Sequence, residues 1–277
     1  MDKKIISGHR GTIEDQMPEN SIPSMQKVLQ NTVAIFEVDP RLTKDSIPVM
    51  VHDATLERTT TGHGKVADFT WKELQGLKLK DHKGNPTKYK INTLDEMIKW
   101  AKGKTILNLD KKDLPMEMTA EIIRKHNAYA WVWVTVHNVE QAKFYLEKNP
   151  KQYMSMHIRT QEQLEAFKSS GLPYDRMIVY IGPEIKSSNQ KFYDFFKEPK
   201  FSKIMELLKV LDRIAGNHDK QVSQVALNWS TQKDYVGTAL VGVRSKEHAY
   251  ENLETFEWKL SDEEMKTIDD TIDRLEL

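Results

Sequence analysis

Short apolar, β-branched runs alternate along this chain with stretches of helical spacing. The runs predict strands over 4–8, 34–38, 47–51, 105–109, 130–136, 152–158, 177–181 and 238–243. Several are apolar at nearly every position, as parallel strands buried on both faces require. Helical spacing predicts helices over 21–29, 119–126, 139–148, 161–169, 189–196, 202–215 and 222–229. Thr70 with Glu73, Thr93 with Glu96 and Ser261 with Glu264 form three capping boxes, each a hydroxyl followed three residues later by a carboxylate. Eight strands with interleaved helices predict an α/β fold, a (β/α)8 TIM barrel, in a single domain spanning 1–277. An open doubly wound sheet is the alternative. The stretch 54–94, between the third and fourth predicted strands, exceeds an ordinary connection and reads as a small insertion subdomain.

Composition narrows the function classes. With 41 Lys+Arg against 41 Asp+Glu among 277 residues, the chain carries no net formal charge. That argues against non-specific nucleic-acid binding and against a polybasic membrane patch. No cysteine is present, which excludes disulfides, thiolate metal sites and cysteine nucleophiles. No 18-residue apolar run predicts a membrane span. The start, Met1-Asp2-Lys3-Lys4, lacks the apolar core of a leader, so a cytoplasmic location is expected, or a periplasmic or secreted one if a leader was removed.

Reactive groups in such a barrel sit at the carboxyl ends of strands. The first predicted strand runs into Gly8-His9-Arg10-Gly11, the second into Glu37-Val38-Asp39, the third into His52-Asp53 and the fourth into Asp110-Lys111-Lys112. Glu37 and Asp39, two apart on a strand, share a face, and Asp110 can supply a third carboxylate. Carboxylates gathered in one mouth need a proton or a cation between them. Three oxygen donors suit a hard divalent cation, Mg2+ or Ca2+; two histidines also permit zinc, which ranks lower. Arg10 and Lys112 are cations suited to a phosphate oxygen. His9 and His52 are candidates for general acid and base. The layout reads as metal-assisted phosphoryl chemistry.

Residues 1–197 resemble the glycerophosphodiester phosphodiesterase family. The resemblance rests on His9-Arg10-Gly11, Pro18-Glu19-Asn20-Ser21, Glu37-Val38-Asp39, Pro48-Val49-Met50-Val51-His52-Asp53, Leu56-Glu57-Arg58-Thr59-Thr60 with Gly62 and Gly64, and Asp68-Phe69-Thr70. It implies a TIM barrel with an inserted subdomain and a small-molecule glycerophosphodiester substrate. The implied reaction gives glycerol phosphate and an alcohol, with a divalent metal. It implies His9 and His52 as the acid–base pair, Arg10 and Lys112 as phosphate contacts, and Glu37, Asp39 and Asp110 as metal ligands. The family's fourth-strand motif is Glu-x-Lys, so Asp110 stands one methylene short. The resemblance also implies attack by the substrate's own glycerol hydroxyl, giving a cyclic phosphate that water opens.

Residues 202–277 resemble instead the end of an aldo-keto reductase, through Gln224-Val225-Ala226-Leu227-Asn228-Trp229 and Ala239-Leu240-Val241-Gly242-Val243-Arg244-Ser245. A chimeric barrel with a seam near 197–203 is therefore expected. In the reductases the positions matching Arg244, Ser245 and Asn252 hold the adenosine phosphate of NADPH. The reductase's catalytic tetrad has no counterpart in the earlier strands, which disfavours hydride transfer. A barrel that binds metal and phosphate without turnover is the other alternative. His137 and His157 face the mouth on this register but carry no motif. Trp131, Trp133 and the aromatics 192–196 read as packing groups.

Overall fold

The computed structural model describes residues 5–11, 17–30, 33–110, 112–181, 196–233, 236, 238–241 and 246–277. These fall into two compact units, one built from Ile5–Gly182 with Leu240–Lys246, the other from Pro183–Ala239 with Glu247–Leu277.

The first unit holds eleven strands or parts of strands: β1 Ile5–His9, β2 Ala34–Val38, β3 Pro40–Leu42, β4 Pro48–Met50, β5 Lys78–Lys80, β6 Pro86–Lys90, β7 Leu107–Leu109, β8 Val132–Val136, β9 Met154–Ile158, β10 Met177–Ile181 and β11 Thr238–Val241. Seven make one sheet, in the order β10-β9-β8-β7-β2-β1-β11. β1 to β2, β2 to β7, β7 to β8, β8 to β9 and β9 to β10 are all parallel. Successive sheet strands are neighbours throughout, and the first lies beside the last. A doubly wound sheet would instead reverse its order at a switch point. The fold is therefore the α/β TIM-barrel type.

The expected third barrel strand, 47–51, is not in this sheet. β4 pairs antiparallel with β3, Pro40 opposite Met50 and Leu42 opposite Pro48. The reason is connection length. A parallel crossover needs about a dozen residues or more, and too few separate β2 from β4. The chain instead reverses at Thr43, whose Oγ accepts from the Ile47 N–H at 2.9 Å while its own N–H donates to the Ile47 carbonyl at 3.1 Å. Pro40 and Pro48, without amide donors, suit a short edge ribbon rather than a central strand. The insertion therefore follows the second barrel strand. Among the described residues the sheet has seven strands, not the expected eight.

This insertion has its own core. Val49, Val51, Leu56, Val66, Leu74, Leu79 and Ile91 are buried together, flanked by Phe69, Trp71, Leu77 and Tyr89. The β5–β6 hairpin and the short helix Trp71–Leu74 complete it. Helix starts follow the expected caps. The Glu96 carboxylate accepts from the Thr93 N–H at 2.9 Å, and the Thr93 hydroxyl accepts from the Glu96 N–H at 3.2 Å. Helices Val139–Lys148 and Gln161–Ser169 match their predicted spans. The second unit packs helices Lys200–His218, Val222–Gln232 and Asp262–Leu275 around Leu211, Ile214, Val225, Leu260 and Ile268. The helix expected over 189–196 falls almost wholly outside the described residues. No described helix is long and apolar enough to cross a membrane.

Leu74 is fully buried in the insertion core. Leu74→Ala is expected to lower stability by about 2–5 kcal/mol, read by chemical denaturation.

Candidate active site

The site begins where β1 ends. Arg10 and Gly11 both turn left-handed, with φ of 56° and 68°. Arginine rarely adopts this conformation, so the turn must be held from outside. The Arg10 N–H donates to the Glu37 carbonyl at 3.0 Å and to the Glu37 carboxylate at 3.2 Å. The Arg10 carbonyl accepts from the Asn20 N–H at 2.8 Å. A side chain at Gly11 would meet Met25 at 2.5 Å, so glycine is required there.

Glu37 and Asp39 leave the end of β2, and Asp110 follows β7, the neighbouring strand. One oxygen from each carboxylate lies within 4.8 Å of the others. Glu37 and Asp39 are buried and Asp110 half-buried. The Asn20 side chain fixes Asp39 from both sides, donating to its carboxylate at 2.8 Å and accepting from its N–H at 2.9 Å. The Lys112 ammonium stands 2.9 Å from the other Asp39 oxygen and also reaches Asp110. Burial opposes the Lys112 charge, but those two carboxylates outweigh it and raise its pKa. The Arg10 guanidinium lies 3.7 Å from Asp39 and 3.4 Å from Glu19.

Glu37 carries the electrostatic strain. Burial, then the charges of Asp39 and Asp110, push its carboxyl up to about 9. Without a cation the cluster holds a proton on Glu37 at neutral pH. A divalent ion held by the three carboxylates would displace that proton. Three carboxylate oxygens suit such an ion.

The two expected histidines differ. His9 is half-exposed, its Nε2 lying 3.8 Å from the Glu37 carboxylate. Burial and the adjacent Arg10 lower its pKa, and the His52 charge adds to that effect. His52 leaves the insertion rather than a barrel strand. Its Nδ1 lies 2.7 Å from Asp53. Asp53 is held by Arg58 at 2.6 and 2.9 Å, which keeps its carboxyl well below the usual range. Arg58 also binds Glu19 through two 2.8 Å hydrogen bonds. A continuous chain of charges therefore runs His52–Asp53–Arg58–Glu19–Arg10–Asp39.

Spacing and strand position give Glu19, Asn20, Asp53 and Arg58 no role, although they lie in the motifs 18–21, 48–53 and 56–60. Burial of an Asn and a Glu beside a strand-end cluster was the missing signal. His157, expected to face the mouth without a motif, lies on β9. Its ring stacks on Tyr180, with centroids 5.1 Å apart. Burial lowers the His157 pKa, while Asp110 opposes the effect. Below the mouth, Ser155 donates to Asn108 at 2.9 Å and lies 3.1 Å from the Thr135 hydroxyl, all three buried. The barrel interior is polar beneath the acids. Trp131 donates to the Ile98 carbonyl at 3.1 Å, and buried Trp133 stacks on Tyr153, as packing groups do. Asn252 lies on helix Lys246–Glu254, in the second unit. Arg244, Ser245 and Lys111 lie outside the described residues.

The glycerophosphoryl diester phosphodiesterase family matches residues 9–251. The chain belongs to that family. The match runs across the expected seam and takes in much of the segment read as reductase-like. A glycerophosphoryl diester phosphodiesterase structure from Parabacteroides distasonis is 37% identical, with a TM-score of 0.72, covering 95% of this chain and 90% of that one. Glycerophosphodiester phosphodiesterase 1 of Bos taurus is 37% identical over 76 residues, 27% of this chain and 23% of that protein. The glycerophosphodiester phosphodiesterase of Caldanaerobacter subterraneus subsp. tengcongensis is 39% identical over 75 residues, 27% of this chain and 30% of that protein. The matched stretch thus spans less than a third of these two curated relatives.

The Glu37 shift fixes a pH dependence. Its folded-state pKa, about 9, lies above the ordinary 4.5, so the folded protein holds a proton that the unfolded chain releases. Its contribution to stability is full at acid pH and is lost as pH rises through the folded value. The metal-free protein is expected to lose melting temperature between about pH 7 and about pH 9, above the range where His9 titrates. Glu37→Gln should flatten that slope; thermal unfolding in chelator checks it.

Proposed function

We propose that this chain hydrolyses glycerophosphodiesters to glycerol phosphate and an alcohol. The observation that carries the reading is the ring of charges around Glu37, Asp39 and Asp110, with one imidazole from β1 and one from the insertion beside it. Glu37, Asp39 and Asp110 would hold a divalent cation, Mg2+ or Ca2+. That ion would supply Lewis-acid stabilisation of charge on the phosphoryl oxygens.

The chain's own groups take the remaining tasks. Arg10 and Lys112 have their charges already placed by Glu19, Asp39 and Asp110, and so present donors to a phosphate at little reorganisation cost. His9, its pKa lowered by burial, is neutral near pH 7 and accepts a proton from the substrate's glycerol hydroxyl. His52, oriented by Asp53, delivers a proton to the departing alcohol oxygen. The attacking oxygen forms a bond to phosphorus as the ester bond to the alcohol breaks, leaving a cyclic glycerol phosphate. Water opens this ring with the two imidazoles exchanging roles, which returns both to their starting protonation. Burial of Asn20 against Asp39, and of Glu19 against Arg58, keeps these groups in place between turnovers.

Hydrolysis of glycerophosphocholine by the purified chain should require a divalent cation and stop with EDTA. His9→Ala and His52→Ala should each lower kcat by about 10²–10⁴-fold with little change in melting temperature. Unchanged rates in both variants would contradict the assignment.

A further inference from the structure

A second cavity adjoins the charged ring. It has a volume of about 300 Å³ and lies between the Glu19–Arg58 pair and the turn of the β5–β6 hairpin, where Lys80, Asp81, His82 and Lys83 line it. All of these residues belong to the first unit. The volume is at the small end of ligand pockets, the size for a head group rather than a whole diester. Its inner wall is shared with the site. Glu19 touches Arg10, and Arg58 holds the Asp53 that orients His52. A group leaving the phosphate on the His52 side therefore has this cavity as its neighbour.

The charge of the cavity can be read from its partners. Glu19 is met by two guanidinium groups, Arg10 and Arg58. The Asp81 carboxylate accepts from the N–H groups of Lys83 at 3.0 Å and Asn85 at 2.8 Å, and from the Asn85 side chain at 3.2 Å. Glu19 is thus neutralised, while the neutral donors on Asp81 leave its charge in place, set against that of the neighbouring Lys83. Lys80 does not spend its charge. Its ammonium donates to a backbone carbonyl, that of Glu57, at 2.7 Å. A lysine has three such protons, and a carbonyl does not neutralise it. Its backbone is fixed as well, by the N–H bond to the Thr59 carbonyl at 2.8 Å. The lining therefore keeps a net positive character beside a wall it shares with the reaction centre.

We propose that this cavity receives the leaving alcohol and selects one that bears a negative charge, through Lys80. The inference rests on the phosphodiesterase reading above and adds the head-group class. The insertion would then act as the specificity element, while the barrel holds the phosphate.

Glycerophosphoserine and glycerophosphoethanolamine differ by one carboxylate on the leaving alcohol, so the ratio of their kcat/KM values isolates its recognition. The serine diester should be preferred about tenfold, and the preference should shrink as salt rises from about 0.05 M to about 0.5 M. Lys80→Met should bring the ratio toward one. Each ratio is taken within one preparation, so partial misfolding cancels. A wild-type ratio of one or below, with both diesters hydrolysed, overturns the cavity assignment alone. A preference that survives that substitution does the same. Failure to hydrolyse either diester with Mg2+ or Ca2+ overturns the phosphodiesterase reading and this inference with it.

Discussion

Like-charge crowding at the ends of β2 and β7 is the constraint from which the rest of the site follows. Two carboxylates as close as those of Glu37, Asp39 and Asp110 repel by about 3 kcal/mol per pair at an effective dielectric near 20. The protein answers only part of this repulsion. The connected network contains five acids, Glu19, Glu37, Asp39, Asp53 and Asp110, against three fixed cations, Arg10, Arg58 and Lys112. Two negative charges remain, the charge of one divalent ion. In the metal-free protein, burial and this crowding hold a proton on Glu37 at neutral pH.

The candidate site draws on two structural sources. The barrel supplies the acids, Arg10, Lys112 and His9. The insertion supplies His52, Asp53 and Arg58, held on a core of its own. Glu19 joins them, since it receives Arg10 from one side and Arg58 from the other. This bridge ties the insertion, and the imidazole it carries, to a cluster built on the barrel strands.

Much of this was legible in the sequence. Strand ends carry reactive groups in a parallel barrel, so His9, Glu37, Asp39 and Asp110 could be placed on one rim from spacing alone. His52 comes to lie near His9, but from the insertion and not from a barrel strand. Its strand reads as β-branched and apolar, yet the short connection from β2 forbids a parallel crossover, and length rather than composition decides. The roles of Glu19, Asn20 and Arg58 were not legible, because they depend on which polar side chains become buried together. An Asn in a left-handed turn looks like loop punctuation until its amide is seen gripping Asp39. The C-terminal segment shows another limit. Its local motifs resemble one barrel family, while the phosphodiesterase family match runs through it as far as residue 251.

The central claim is that Glu37, Asp39 and Asp110 share one divalent ion. Calorimetric titration of metal-free protein with Mg2+ or Ca2+ near pH 7.5 tests it most directly. The account predicts one ion per chain, with a proton released to the buffer, and no binding in Asp39→Asn. An ion bound equally well by Asp39→Asn, or none bound by the unaltered chain, would contradict it.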